Sequence, residues 1–218
     1  MKKIIPLLFI IIAQLCPVKG QDVPKIVGLA TPESVYKAMD LEYIPVEGFS
    51  LDDNFVSWEP YTSHGPSTII HTEHNNFFCL IDIFYSVKRY DVFLKEERNI
   101  YYFNHIRDNL IDIAGKYNEN KREDFTQKDL KRNVKFLSRR EARKKFNADM
   151  AITYKLPVIE NINYIIEQKG KEYTHCDVLM IHKNDLGPIF LYCFYTDEGY
   201  KHRKQYYNKL EKAIGFKQ

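Results

Sequence analysis

Two runs near the C-terminal end constrain the fold most. "KEYTHCDVLMIHK" (171–183) and "PIFLYCFYT" (188–196) are rich in β-branched and aromatic residues. Between them stands Asn184-Asp185-Leu186-Gly187, an Asn-x-x-Gly turn that puts glycine where a left-handed residue is wanted. The pattern predicts a β-hairpin, and a hairpin commits its two strands to antiparallel pairing. Thr196 or Asp197 then caps a final helix, with Tyr200, Tyr207, Leu210 and Ile214 on its inner side.

"ATPESVYKAMD" (30–40) opens as a short helix: Thr31 caps, Pro32 suits the first helical position, and Glu33 favours the positive end. Pro45 and Gly48 end it. "FSLDDNFVSWEPY" (49–61) is extended, with a polar turn expected at Asp52-Asp53-Asn54. "STIIHTEH" (67–74) and "NFFCLIDIFYSV" (76–87) read as strands. Phe103, Ile106, Leu110, Ile113 and Tyr117 recur at steps of three and four, which predicts a long helix from about Asp91 to Gly115. "SRREARKKF" (138–146) carries a capping box, Ser138 with Glu141, at the start of a short amphipathic helix. "ADMAITYKL" (148–156) is a further strand. The fold class is α+β: an antiparallel sheet flanked by helices, closing on a hairpin followed by a helix.

The first twenty residues are expected to be a signal peptide. Lys2 and Lys3 precede an apolar stretch from Ile4 to Leu15, shorter than the ~20 residues a spanning helix needs, and cleavage is expected near Gly20. Residues 21–218 then form one α+β domain, with a basic helical segment at about 121–147 and no transmembrane segment. The localisation is periplasmic or outer-envelope associated. Cys16 offers lipidation as the alternative, but Leu15 before it is a poor match to a lipoprotein signal. The chain has 16 Tyr and 14 Phe against nine Gly and nine Pro, the balance of a globular protein with a substantial core. Cys79, Cys176 and Cys193 sit in apolar strands and read first as small core residues, with a Cys176–Cys193 bridge as the alternative.

"YIPVEGFSLDDNF" (43–55) resembles the entry of the PsbP-like α/β sandwich superfamily. "GPIFLYCFYTDEG…YYNKLEKAIGF" (187–216) is similar to that fold's last hairpin, helix and closing aromatic residue. Together they cover about a quarter of the chain. The resemblance implies an antiparallel sheet sandwiched by helices and a binding or assembly role, and brings no catalytic motif.

Two constellations could carry chemistry. His64, His71, Glu73 and His74 supply zinc-type ligands. On a strand His71 and Glu73 share a face while His74 points away, and the spacing is not that of H-E-x-x-H. A polar strand end is the preferred reading; a metal-dependent hydrolase using a zinc is the alternative. His175 and Asp177 also share a strand face, but no G-x-S-x-G elbow accompanies them, and no phosphate loop occurs.

Residues 121–145 hold eleven Lys or Arg against four Asp or Glu, although the whole chain carries only +3. Arg139, Arg140, Arg143, Lys144 and Lys145 cluster on one short helix. Such a patch suits an anionic envelope surface or an acidic protein; export and thin aromatic interleaving disfavour nucleic acid. The expectation is an exported, non-enzymatic binding or assembly module that uses this surface.

Overall fold

The computed structural model describes residues 36–37, 39–56, 67–83, 106–107, 126–158, 172–183 and 186–217. The chain divides into Met1–Ala30 and Thr31–Gln218, and every described residue belongs to the second unit. The expected signal peptide, Cys16 and His64 lie outside the described residues. So does most of the expected long helix. Of it, Ile106 and Arg107 are helical, and Ile106 is buried.

The architecture is mixed α+β. Seven strands form an antiparallel sheet: β2 (Ser50–Val56), β3 (Ser67–His71), β4 (Phe77–Ile83), β5 (Lys135–Phe136), β6 (Met150–Leu156), β7 (His175–Lys183) and β8 (Gly187–Tyr195). Their order is β2-β3-β4-β8-β7-β6-β5. A second, two-stranded sheet pairs β1 (Leu41–Tyr43) with β9 (Ile214–Phe216). Four helices complete the described residues: α1 (Gln127–Asn133), α2 (Arg139–Phe146), α3 (Asp197–Lys201) and α4 (Arg203–Ala213).

Strand parity explains the two near-continuous apolar runs. β7 and β8 pair along their whole length, from His175↔Tyr195 to Lys183↔Gly187. Successive side chains alternate between faces. Val178, Met180, Tyr192 and Phe194 therefore share one face with Phe78, Leu80, Ile152 and Tyr154, in a cluster joined by Ile106 and Tyr173. Phe78 stacks on Phe194 at 4.5 Å and meets Tyr173 edge-on at 4.7 Å. The other face carries Phe77, Cys79, Leu191, Cys193 and Tyr195, all buried as well. There Phe77 stacks on Phe49 and on Tyr206 of α4, at 5.5 and 4.8 Å. A strand in the middle of a sheet covered on both sides has no wet face, so "FFCLIDI" is buried at every position.

The two-sided parity also settles the cysteines. All three are free and buried. Cys176 pairs with Phe194 and faces away from Cys193, so the two cannot meet as a bridge. The neighbour of Cys193 is instead Cys79, its register partner on β4, with the sulfurs 3.9 Å apart. The hydrogen bond that the Cys193 thiol donates to Cys79, together with burial, pushes that thiol well above its ordinary value.

Three elements differ from their expectation. The polar turn at 52–54 is part of β2, whose register against β3 shifts between Asp52 and Val56. A bulge absorbs the extra residues without breaking the strand. The final helix is two helices, interrupted at His202. And Ile214 leaves the helix for β9, where Tyr43↔Ile214 and Leu41↔Phe216 pair. β-branched Ile214 gains there by burial in a strand what helix continuation withholds from it.

Candidate functional site

α2 is built as its sequence predicts. Ser138 stands extended before it and accepts from the Glu141 backbone N–H at 3.2 Å, while the Ser138 N–H donates to the Glu141 carboxylate at 3.0 Å. These reciprocal bonds satisfy two otherwise orphaned donors. The Ser138 hydroxyl, which donates to the same carboxylate at 2.7 Å, and the Ser138 N–H hold the Glu141 carboxyl below its ordinary value. Asn147 ends the helix in the left-handed region, at φ 49°. Its side chain donates to the carbonyls of Phe216 and Lys217, which ties the helix end to β9.

With about 100° between successive residues, Ala142 and Phe146 share one stripe, and both are buried. Fully burying a phenylalanine stabilises by roughly 1.5–3 kcal/mol, which fixes the rotation of α2. Arg140 and Lys144 then point away from the core, and both are exposed. The other three predicted basic residues turn to local partners. Arg139 and Arg143 share the Asp149 carboxylate, at 3.4 and 3.2 Å. Lys145 pairs with Glu211 of α4 at 2.5 Å and lies over the Tyr207 ring. Arg140 and Lys144 form no ion pair among the described residues.

The histidine cluster takes a different form. β3 ends at His71, whose ring is half-buried and whose Nδ1 lies 3.3 Å from the adjacent Thr72 carbonyl. Glu73 and His74 follow in the exposed turn between β3 and β4. Among the described residues, no group of three His, Cys, Asp or Glu side chains is placed to hold a metal.

His175 and Asp177 share a face of β7, but the His175 ring turns to a different carboxylate. Its Nε2 lies 3.1 Å from Asp197, which also accepts from the Thr174 hydroxyl at 2.6 Å. The ring stacks on Tyr200 with centroids 3.9 Å apart. Arg203 sits over the same tyrosine, and Lys155 donates to its hydroxyl. Asp177 stands beside this group in a partly buried position. Burial pushes its carboxyl up; the nearby Lys155 and Arg203 cations oppose the shift.

Asp177 also lines a groove of about 830 Å³ between the sheet and the helices. Its sheet wall carries Thr153, Lys155, Asp177, Leu179 and Tyr195; its helix wall carries Arg203, Lys204 and Tyr207 of α4 and Glu141 and Lys145 of α2. Sequence reasoning missed this groove. The available signal was Thr153 and Lys155 alternating with buried Ile152, Tyr154 and Leu156 on β6, where a fully covered face would be apolar.

Family models, curated proteins and solved structures gave no match to this chain. The class that the structure itself defines is a mixed α+β protein with a seven-stranded antiparallel sheet. Among its described residues, no helix is long and apolar enough to cross a membrane.

Proposed function

We propose that the protein is an exported, non-enzymatic binding module of the cell envelope that meets an anionic surface through the outward face of α2. The observation that carries this reading is the pair Arg140 and Lys144. They stand side by side on a capped, core-anchored helix, with no counter-ion among the described residues. A helix already fixed by its cap and buried stripe costs little further backbone entropy to present these cations, and each basic residue near an anionic membrane surface contributes about 1 kcal/mol. Arg139, Arg143 and Lys145 contribute less, because each already has a carboxylate neighbour. The signal-like first twenty residues support export. A PsbP-like sheet flanked by helices is the fold we infer for such a module; the order β7, β8, α3 and α4 supports it, and β9 after α4 is an addition to it.

Sedimentation with vesicles of mixed phosphatidylglycerol and phosphatidylcholine tests the surface. Residues 21–218 are expected to bind these and not pure phosphatidylcholine. Arg140→Glu with Lys144→Glu should weaken binding by roughly thirtyfold or more, the loss of about two such contributions plus the repulsion of two carboxylates. Raising ionic strength should weaken the wild type in parallel. Unchanged retention of the double variant would remove α2 from the reading, and capture by an acidic protein without vesicle binding would replace the membrane with that protein.

A further inference from the structure

We infer that the groove between β6–β8 and α4 is a binding site for an acidic saccharide, a function separate from the outward face of α2. Its volume, about 830 Å³, falls in the range of small-ligand sites. Three features of its lining select the ligand class.

The first is charge. Arg132, Lys135, Lys145, Lys155, Arg203 and Lys204 line the groove, against the carboxylates of Glu141 and Asp177. The Glu141 carboxylate is already engaged by Ser138, and Lys145 by Glu211. The excess positive charge attracts an anion, and focusing in a recess strengthens the attraction.

The second is Asp177. It projects into this cationic recess, partly buried, and its side chain forms no hydrogen bond among the described residues. A ligand that is anionic throughout would be repelled there. A hydrocarbon would bury the carboxylate with its bonding capacity unmet, which is costly. A hydroxyl donates to it. Thr153 beside it likewise forms no side-chain hydrogen bond among the described residues.

The third is the wall itself. The exposed Phe136 side chain and the half-buried Tyr207 ring give the groove accessible apolar surface beside the polar groups. A sugar offers C–H faces to such a surface, hydroxyls to Asp177 and Thr153, and carboxylates or sulfates to the lysines.

Titration calorimetry with two acidic probes, a galacturonic acid tetramer and a sulfated heparin-derived tetrasaccharide, tests the assignment. Maltotetraose serves as the neutral control and tripolyphosphate as the anion without hydroxyls. At least one acidic saccharide should bind, and maltotetraose should not. Lys135→Ala with Lys204→Ala should weaken that binding about tenfold or more, the effect of losing charged hydrogen bonds. Asp177→Asn should narrow the preference for the saccharide over tripolyphosphate, because it removes the repulsion and keeps the shape. Arg140→Glu with Lys144→Glu should leave saccharide binding intact. The thermal unfolding of each variant is recorded alongside, so that only folded protein is compared. Binding of neither acidic saccharide, equal binding by the Lys135/Lys204 variant, or wild-type preference for tripolyphosphate would overturn the assignment.

Discussion

Asp177 shows how a single residue can be placed against stability. Its folded carboxyl is held above its ordinary value by burial, only partly offset by the Lys155, Arg203 and His175 charges facing it. A carboxyl whose pKa is raised on folding releases its proton more readily in the unfolded chain. Stability therefore falls as pH rises from the ordinary carboxylate range through the raised folded value, and the whole penalty is present at neutral pH. Asp177→Asn removes it. The variant should resist urea better than the wild type at pH 7, and the advantage should vanish at a pH below the ordinary carboxylate range. Equal urea midpoints at both pH values would show that Asp177 carries no such penalty. A residue that costs stability in the fold is a better candidate for ligand contact than one that only packs.

At the scale of elements, short pieces are fixed by what they dock on. α3 is only five residues long, and its start is secured twice. The Gly199 N–H donates to the Thr196 hydroxyl at 3.0 Å, and the Thr196 N–H donates to the Asn76 carbonyl at 3.1 Å. This brings Gly199 against the β3–β4 turn so closely that a Cβ would overlap the Asn76 carbonyl. Gly199→Ala must push apart two backbone segments, where no flexible side chain can give. A loss of roughly 1–3 kcal/mol is expected, typical of overpacking. It should appear as a lower urea midpoint with an unchanged slope. An unchanged midpoint would mean that the turn yields freely. The same turn holds Glu73 and His74, so this contact fixes the segment that the metal-ligand spacing singled out.

Across the whole molecule, local signals were legible and long-range ones were not. The α2 capping box and the paired runs of β7 and β8 depend on residues close in sequence, and both form; Gly187, expected in the turn, is instead the first residue of β8, paired with Lys183. The β1–β9 pairing joins Leu41 to Phe216, and no local pattern announces a partner so distant. The basic patch was legible as composition, but its division was not. Asp149 and Glu211 reach Arg139, Arg143 and Lys145 only once α2 is rotated by its buried stripe. The groove was hidden for a similar reason: Asp177 on β7 and Lys204 on α4 come together only through the sheet and the helix above it. Polar positions within a strand were visible; that they face a recess and not open water was not.

On the proposed function, the outward face of α2 meets an anionic surface. Backbone amide shifts in residues 21–218 can be mapped as bicelles of phosphatidylglycerol are added, with phosphatidylcholine bicelles as the reference. Shifts should concentrate from Arg139 to Lys145, be largest around Arg140 and Lys144, and be reversed by salt. Shifts concentrated elsewhere, for example at the turn around Glu73 and His74, or the same shifts with both lipids, would contradict it.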